Sequence, residues 1–144
     1  MHMSTSFIQE IESLSNPRDE SQLRRLDEAL ASTYPLDCGE KEFRILLQVF
    51  ERFPEDDGFE VFWGIVHFLE ACNGYEPFLI ESVNRMPVEF NVVMINRLLN
   101  AGVAKIGDSP LMDVLESVLL HSSATQDAKQ CAQRFIDYQR KKGI

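Results

Sequence analysis

The stretch Asp57-Gly58-Phe59-Glu60-Val61-Phe62-Trp63-Gly64-Ile65-Val66-His67-Phe68-Leu69-Glu70-Ala71-Cys72-Asn73 decides the class of this chain. Phe59, Val61, Phe62, Trp63, Ile65, Val66, Phe68 and Leu69 leave few polar positions, and their spacing is helical rather than alternating. A helix that is apolar nearly all round belongs at the centre, with neighbours on several sides. Asp56 and Asp57 are placed to cap its start and to meet its positive dipole end. Asn73-Gly74 is placed to end it.

Working outward from this segment, the spacing predicts helices on both sides. Upstream they run from about Thr5 to Leu14, stopped at Asn16-Pro17, and from Asp19 to Ser32, with a narrow stripe of Leu23, Leu26 and Leu30. The next runs from Glu40 to Phe53, where Phe43, Leu46, Leu47 and Phe50 make a stripe wide enough for a core, before Pro54. Downstream, Pro77 opens a short helix to Arg85 and Pro87 opens one to Asn100, with Gly102 beyond it. Ser109 is the expected N-cap of a seventh, with Pro110 at its first helical position and its end near Leu120; an eighth runs from Thr125 to Lys141. No segment alternates long enough to make a strand, so the expected class is all-α: about eight helices in antiparallel hairpins. Helices three, five and seven start near residues 40, 76 and 108, about the period of a two-helix repeat. That spacing favours a short stack resembling HEAT or armadillo units, and poor similarity between the units leaves an irregular bundle as the alternative.

Length and composition bound the function. A chain of 144 residues, 44% hydrophobic and 26% charged, is one domain's worth and can bury a core without metal or disulfide. Met1-His2-Met3 reads as residues left by cloning, so the expected domain runs from 4 to 144. No secretion signal follows it, and the apolar stretch from Phe59 to Cys72 is too short to cross a bilayer. Cys38, Cys72 and Cys131 form no CxxC pair and are odd in number, which fits reduced thiols in the cytoplasm.

The signatures of catalysis and cofactor binding are absent. The glycines form neither a GxGxxG nor a phosphate-loop pattern, and there is no GxSxG or HExxH. Asp56-Asp57-Gly58 lacks the ligand spacing of a calcium loop. His67 and Glu70 stand in the reverse order of a di-iron half-site, without the other carboxylates and histidine it needs. No catalytic, cofactor-binding or metal-ligating set is therefore expected, and no enzyme. Glu60, Gly64, His67 and Ala71 form the one non-apolar stripe of the central helix, a solvent-facing strip that could meet a partner.

Charge placement is the feature that stands out. The formal net charge is −9, which argues against binding nucleic acid phosphates; no basic amphipathic helix argues for a membrane surface. Residues 37 to 89 hold twelve acids and four bases, whereas residues 90 to 144 hold five acids and seven bases. Between Arg52 and Arg85 there are seven acids and no base. Such a run is often only a solvated face, but a concentrated field also speeds encounter with a cationic partner. Glu55, Asp56, Asp57, Glu60 and Glu76 are the expected steering residues, with His67 and Tyr75 as central contacts and Trp63 assigned to the core.

The run from Phe53-Pro54-Glu55-Asp56-Asp57 through Trp63-Gly64-Ile65-Val66-His67, then Tyr75-Glu76-Pro77-Phe78-Leu79 and Glu89-Phe90-Asn91 to Arg97-Leu98-Leu99, resembles the helical immunity proteins of bacterial polymorphic toxin and contact-dependent growth inhibition systems. The resemblance covers about 50 residues of the 144. It implies a small, non-catalytic cytoplasmic protein that binds and blocks the toxic domain of a cognate effector, often a basic nuclease. It assigns no role to any single position. A helical-repeat adaptor for a peptide or protein partner is the alternative reading.

Overall fold

The computed structural model describes residues 3 to 143, with side chains from Ser6. Met1 and His2, read above as cloning residues, lie outside them. Among the described residues the fold is all-α apart from one pair of two-residue strands. Its contacts fall into two compact units, one ending at Tyr75 and the other starting at Glu76.

The first unit holds α1 (Met3–Glu12), α2 (Glu20–Ala31), a 3-10 turn (Pro35–Asp37), α3 (Glu40–Arg52) and α4 (Phe62–Ala71). Helix α1 packs on α2 and α3, and α4 packs on α2, α3 and the 3-10 turn. The four residues of the α3 stripe, Phe43, Leu46, Leu47 and Phe50, are all buried, as their spacing predicts. Phe50 meets Phe62 with ring centroids 6.1 Å apart, and Phe7 stacks on Phe68 at 5.6 Å. The helix ends are closed by side chains. Asp19 accepts from Ser21 N at 2.9 Å, and the Glu42 carboxylate reaches back to Gly39 N at 2.7 Å. Arg52 donates to the carbonyls of Ile11 and Leu14, each at 2.9 Å, putting a cation on the negative end of α1.

The second unit holds α5 (Glu76–Arg85), α6 (Glu89–Asn100), β1 (Lys105–Ile106), β2 (Ser109–Pro110), α7 (Leu111–Leu119) and α8 (Gln126–Lys141). Helix α8 packs on α6 and α7, and α5 on the same two helices. Thr125 caps α8 by accepting from Ala128 N at 3.0 Å. Buried Gln139 donates to Asn96 and Asn100, both at 2.8 Å, while its carbonyl oxygen has no partner.

Two expectations are corrected. Ser109 does not cap α7: it pairs with Ile106 in the antiparallel ladder, and Pro110 is the N-cap rather than the first helical residue. A strand of two residues is too short to show alternation, and the left-handed Gly107 (φ 57°) turns the hairpin. The central helix starts at Phe62, not near Asp57, and Asp56 and Asp57 do not cap it. No helix among the described residues is long and apolar enough to cross a membrane.

Asn91 carries the start of α6. Its fully buried side chain accepts from Val88 N at 2.8 Å and donates to Ser82 Oγ and Met86 O, each at 3.0 Å. An Asn91→Ala substitution removes the side-chain partner of all three groups in a buried place. It should lower unfolding stability by about 2–4 kcal/mol in a urea titration. The amide protons of α6 should exchange faster with solvent in the same variant.

Candidate functional site

The segment between α3 and α4 is the candidate site, and the chemistry of Asp-Asp-Gly builds it. Asp56 Oδ1 accepts from Gly58 N at 3.1 Å, and Asp57 Oδ1 accepts from Phe59 N at 3.0 Å. Each aspartate thus closes a turn on the residue two ahead of it. The chain then passes through three consecutive left-handed residues, Gly58 (φ 58°), Phe59 (φ 49°) and Glu60 (φ 73°). Glycine takes this conformation freely, whereas Phe and Glu each hold it at a cost of about 1–2 kcal/mol. Turn bonds from Val61 N to Gly58 O at 3.0 Å and from Phe62 N to Asp57 O at 3.2 Å fix the shape before α4 begins.

Gly58 is buried, and the reason is steric. A β-carbon there would lie 2.7 Å from two ring carbons of Phe62 and 3.2 Å from Leu23. The backbone sits directly against the core ring, and the chain is levered outward immediately after it. Phe59, expected in the core of the central helix, is instead 57% exposed. The Arg18 guanidinium lies 5.2 Å from the centroid of its ring, and Arg18 Nε donates to Asp56 Oδ2 at 3.2 Å. Arg18, Leu23, Arg24, Asp27, Phe59 and Val61 line an open groove of about 560 Å³ beside this loop.

The expected site residues separate into groups. Glu55, Asp57 and Glu60 are exposed and make no ion pair with a described residue. Asp56 is half-buried and already paired with Arg18, so its charge is partly offset from within the chain. His67 is exposed on α4, its ring 6.2 Å from that of half-buried Trp63. Glu60 belongs to the loop rather than to a helical stripe with Gly64, His67 and Ala71, because α4 has not yet begun at that point. Tyr75 is buried, at 3% exposure, and is therefore not a contact offered to a partner. Glu76 is half-buried in the first turn of α5, in the second unit.

Phe59, Arg18 and Arg24 were not singled out by the sequence reading. The signal for Phe59 was present in Asp57-Gly58, a turn pair that outranks helical spacing. Nothing local marks Arg18, which reaches this loop from 38 residues away. Among the described residues no group of three His, Cys, Asp or Glu could hold a metal ion. In comparison with known proteins, the chain matches no family model, no curated protein and no solved structure.

The loop's dependence on a missing side chain is measurable. Gly58→Ala should cost about 1–3 kcal/mol, from left-handed strain plus the clash with Phe62. Gly74→Ala is the control: its φ is 92°, yet no atom lies within 4 Å of the added carbon. A thermal melt should therefore show a clearly larger loss at position 58 than at 74.

Proposed function

We propose that the protein is a non-catalytic binding protein that captures a cationic protein domain through the loop between α3 and α4, as an immunity protein captures its cognate toxin domain. One observation carries this reading. An exposed aromatic ring, Phe59, stands in a loop held in strained backbone, with Glu55, Asp57 and Glu60 exposed in the same loop and making no ion pair with a described residue. Strained non-glycine residues are kept where surrounding structure dictates them, and they gather at functional loops.

The two parts of that surface have separate jobs. Uncompensated carboxylates attract a basic partner from a distance and raise the rate of encounter. A solvent-exposed aromatic ring supplies the contact area that slows dissociation. A nuclease domain has to be cationic to hold phosphates, so an acidic surface on a stiff helical scaffold is suited to occupy it. The proposed setting is the cytoplasm of a bacterium that carries a contact-dependent inhibition or other polymorphic toxin system, with the partner encoded in a neighbouring reading frame.

The test uses the basic domain encoded beside this gene, purified with the protein and followed by stopped-flow or surface-resonance kinetics. Replacing Glu55 and Glu60 by Lys, with Asp57 kept because its carboxylate holds the turn, should slow association roughly 10- to 100-fold at about 50 mM salt and flatten its salt dependence. Phe59→Ala should leave association nearly unchanged and speed dissociation about tenfold or more. Tight binding that is indifferent to both changes, and to salt between about 50 and 500 mM, would instead favour an adaptor that holds its partner in an apolar groove.

A further inference from the structure

We infer that Asp56 and Phe59 form a receptor site for one arginine side chain of the partner, and that Arg18 is the internal group which this arginine displaces. The inference rests on the capture of a cationic domain proposed above and names the group that is captured. The structure already holds a guanidinium in this place. Arg18 Nε donates to Asp56 Oδ2 at 3.2 Å, and its guanidinium carbon lies over the Phe59 ring, 5.2 Å from the centroid. A carboxylate and an aromatic face are the two partners that a planar, delocalised cation can engage together. A lysine ammonium meets them only as a compact, strongly hydrated charge, so the site selects arginine over lysine.

The receptor groups are held by bonds that do not involve the Arg18 side chain. Asp56 Oδ1 accepts from Gly58 N at 3.1 Å, which leaves Oδ2 for the guanidinium. Phe59 N donates to Asp57 Oδ1 at 3.0 Å, and this fixes the backbone that turns the ring out to solvent. Arg18 itself belongs to the turn between α1 and α2. There its N–H donates to Asn16 Oδ1 at 2.9 Å, and Asp19 N donates to Asn16 O at 3.2 Å. Both bonds are made by the backbone, so the guanidinium can swing away without unfolding the turn. The receptor is preorganised, and its occupant is exchangeable.

Exposure decides which of the paired groups moves. The Arg18 side chain is 61% exposed and that of Asp56 only 17%. An exposed arginine loses little on returning to water, whereas a largely covered carboxylate is left worse off without a cation. Exchange of one guanidinium for another keeps Asp56 paired. The groove beside the loop accommodates the rest of the incoming side chain, with Leu23 and Val61 offering apolar surface to its methylenes and Glu20 and Asp27 adding carboxylates from α2. Arg18 thereby acts as a built-in competitor: the partner's apparent affinity is reduced to the fraction of molecules whose site stands vacant. For a contact as weak as an exposed ion pair, that reduction is about three- to tenfold.

The experiment titrates the full chain with N-acetyl-arginine methylamide and, in parallel, with N-acetyl-lysine methylamide, following the Phe59 ring protons and the backbone amides by NMR. Wild-type protein should bind the arginine probe in the millimolar range and at least about threefold more tightly than the lysine probe. Arg18→Gln should tighten the arginine probe about three- to tenfold. Arg24→Gln removes a cation from the same groove and leaves Arg18 in place, so its gain should stay below about twofold. In the Arg18→Gln background, Asp56→Asn keeps the turn acceptor but not the charge, and Phe59→Leu keeps apolar bulk but not the ring. Each should weaken the probe about fivefold or more, with amide shifts outside the loop unchanged as the check on folding. The inference is overturned if Arg18→Gln binds no more tightly than wild type, if Arg24→Gln gains as much, if the two probes bind equally, or if Phe59 does not respond. No toxin domain enters this titration. Its failure leaves capture of a cationic domain standing through other contacts, whereas arginine binding alongside indifferent toxin kinetics sinks that capture and leaves the guanidinium site.

Discussion

Helix α4 has almost no polar side to leave in water, and covering it dictates how the first unit is arranged. Phe62, Ile65, Val66, Phe68 and Leu69 are all buried, and they point in more directions than one neighbouring helix could cover. Helices α2 and α3 and the 3-10 turn each take part of that surface. Fully burying a side chain of this size is worth about 1.5–3 kcal/mol, so five of them outweigh the local preferences of the segments that surround them. The price is paid at the entry to α4. There the chain comes off α3 and has to pass so close to Phe62 that only a residue without a side chain fits.

That close passage explains both the shape and the exposure of the loop. Gly58 lies on the Phe62 ring, the next two residues are forced into left-handed backbone, and Phe59 is turned out to solvent. The aspartates serve the turn: their side chains bind backbone N–H groups of the loop itself, not those of the helix. The remaining carboxylates cost the fold little. Two charges about 4 Å apart in water repel by only about 1 kcal/mol, and Arg18 offsets Asp56 at a side chain that is itself 61% exposed. Charge of this kind contributes weakly to stability in either direction. What it alters appreciably is the approach of another charged molecule.

Helix content was legible because it rests on local spacing. The stripes of α2 and α3, the end of α3 before Pro54 and the start of α8 beside Thr125 all depend on residues within a few positions of one another. The start of α4 was not legible in the same way. Phe59 and Val61 continue the apolar period, so periodicity carries the helix back to Asp57, while the steric demand that ends it there comes from the Phe62 ring packed on Phe50. Tyr75 misleads for a related reason: an aromatic next to an acidic run looks like a contact, and its burial is decided by packing that no local pattern records. The Arg18 contact joins residues 38 positions apart, which only the folded chain brings together.

Rigidity is the property that connects the strained turn to the proposed capture of a partner. A flexible acidic loop with an aromatic tip would lose conformational freedom on binding, and that loss subtracts directly from affinity. Here the backbone of Phe59 is fixed by the Asp57 carboxylate on one side and by the Val61 to Gly58 bond on the other, and the Arg18 guanidinium lies over the ring. The ordering is therefore met during folding, out of the energy of burying α4, rather than at the moment of encounter. The Arg18 contact also shows what kind of group the ring accommodates. A planar cation from another protein could lie over the same ring with Asp57 and Glu60 nearby, and both of those carboxylates are exposed.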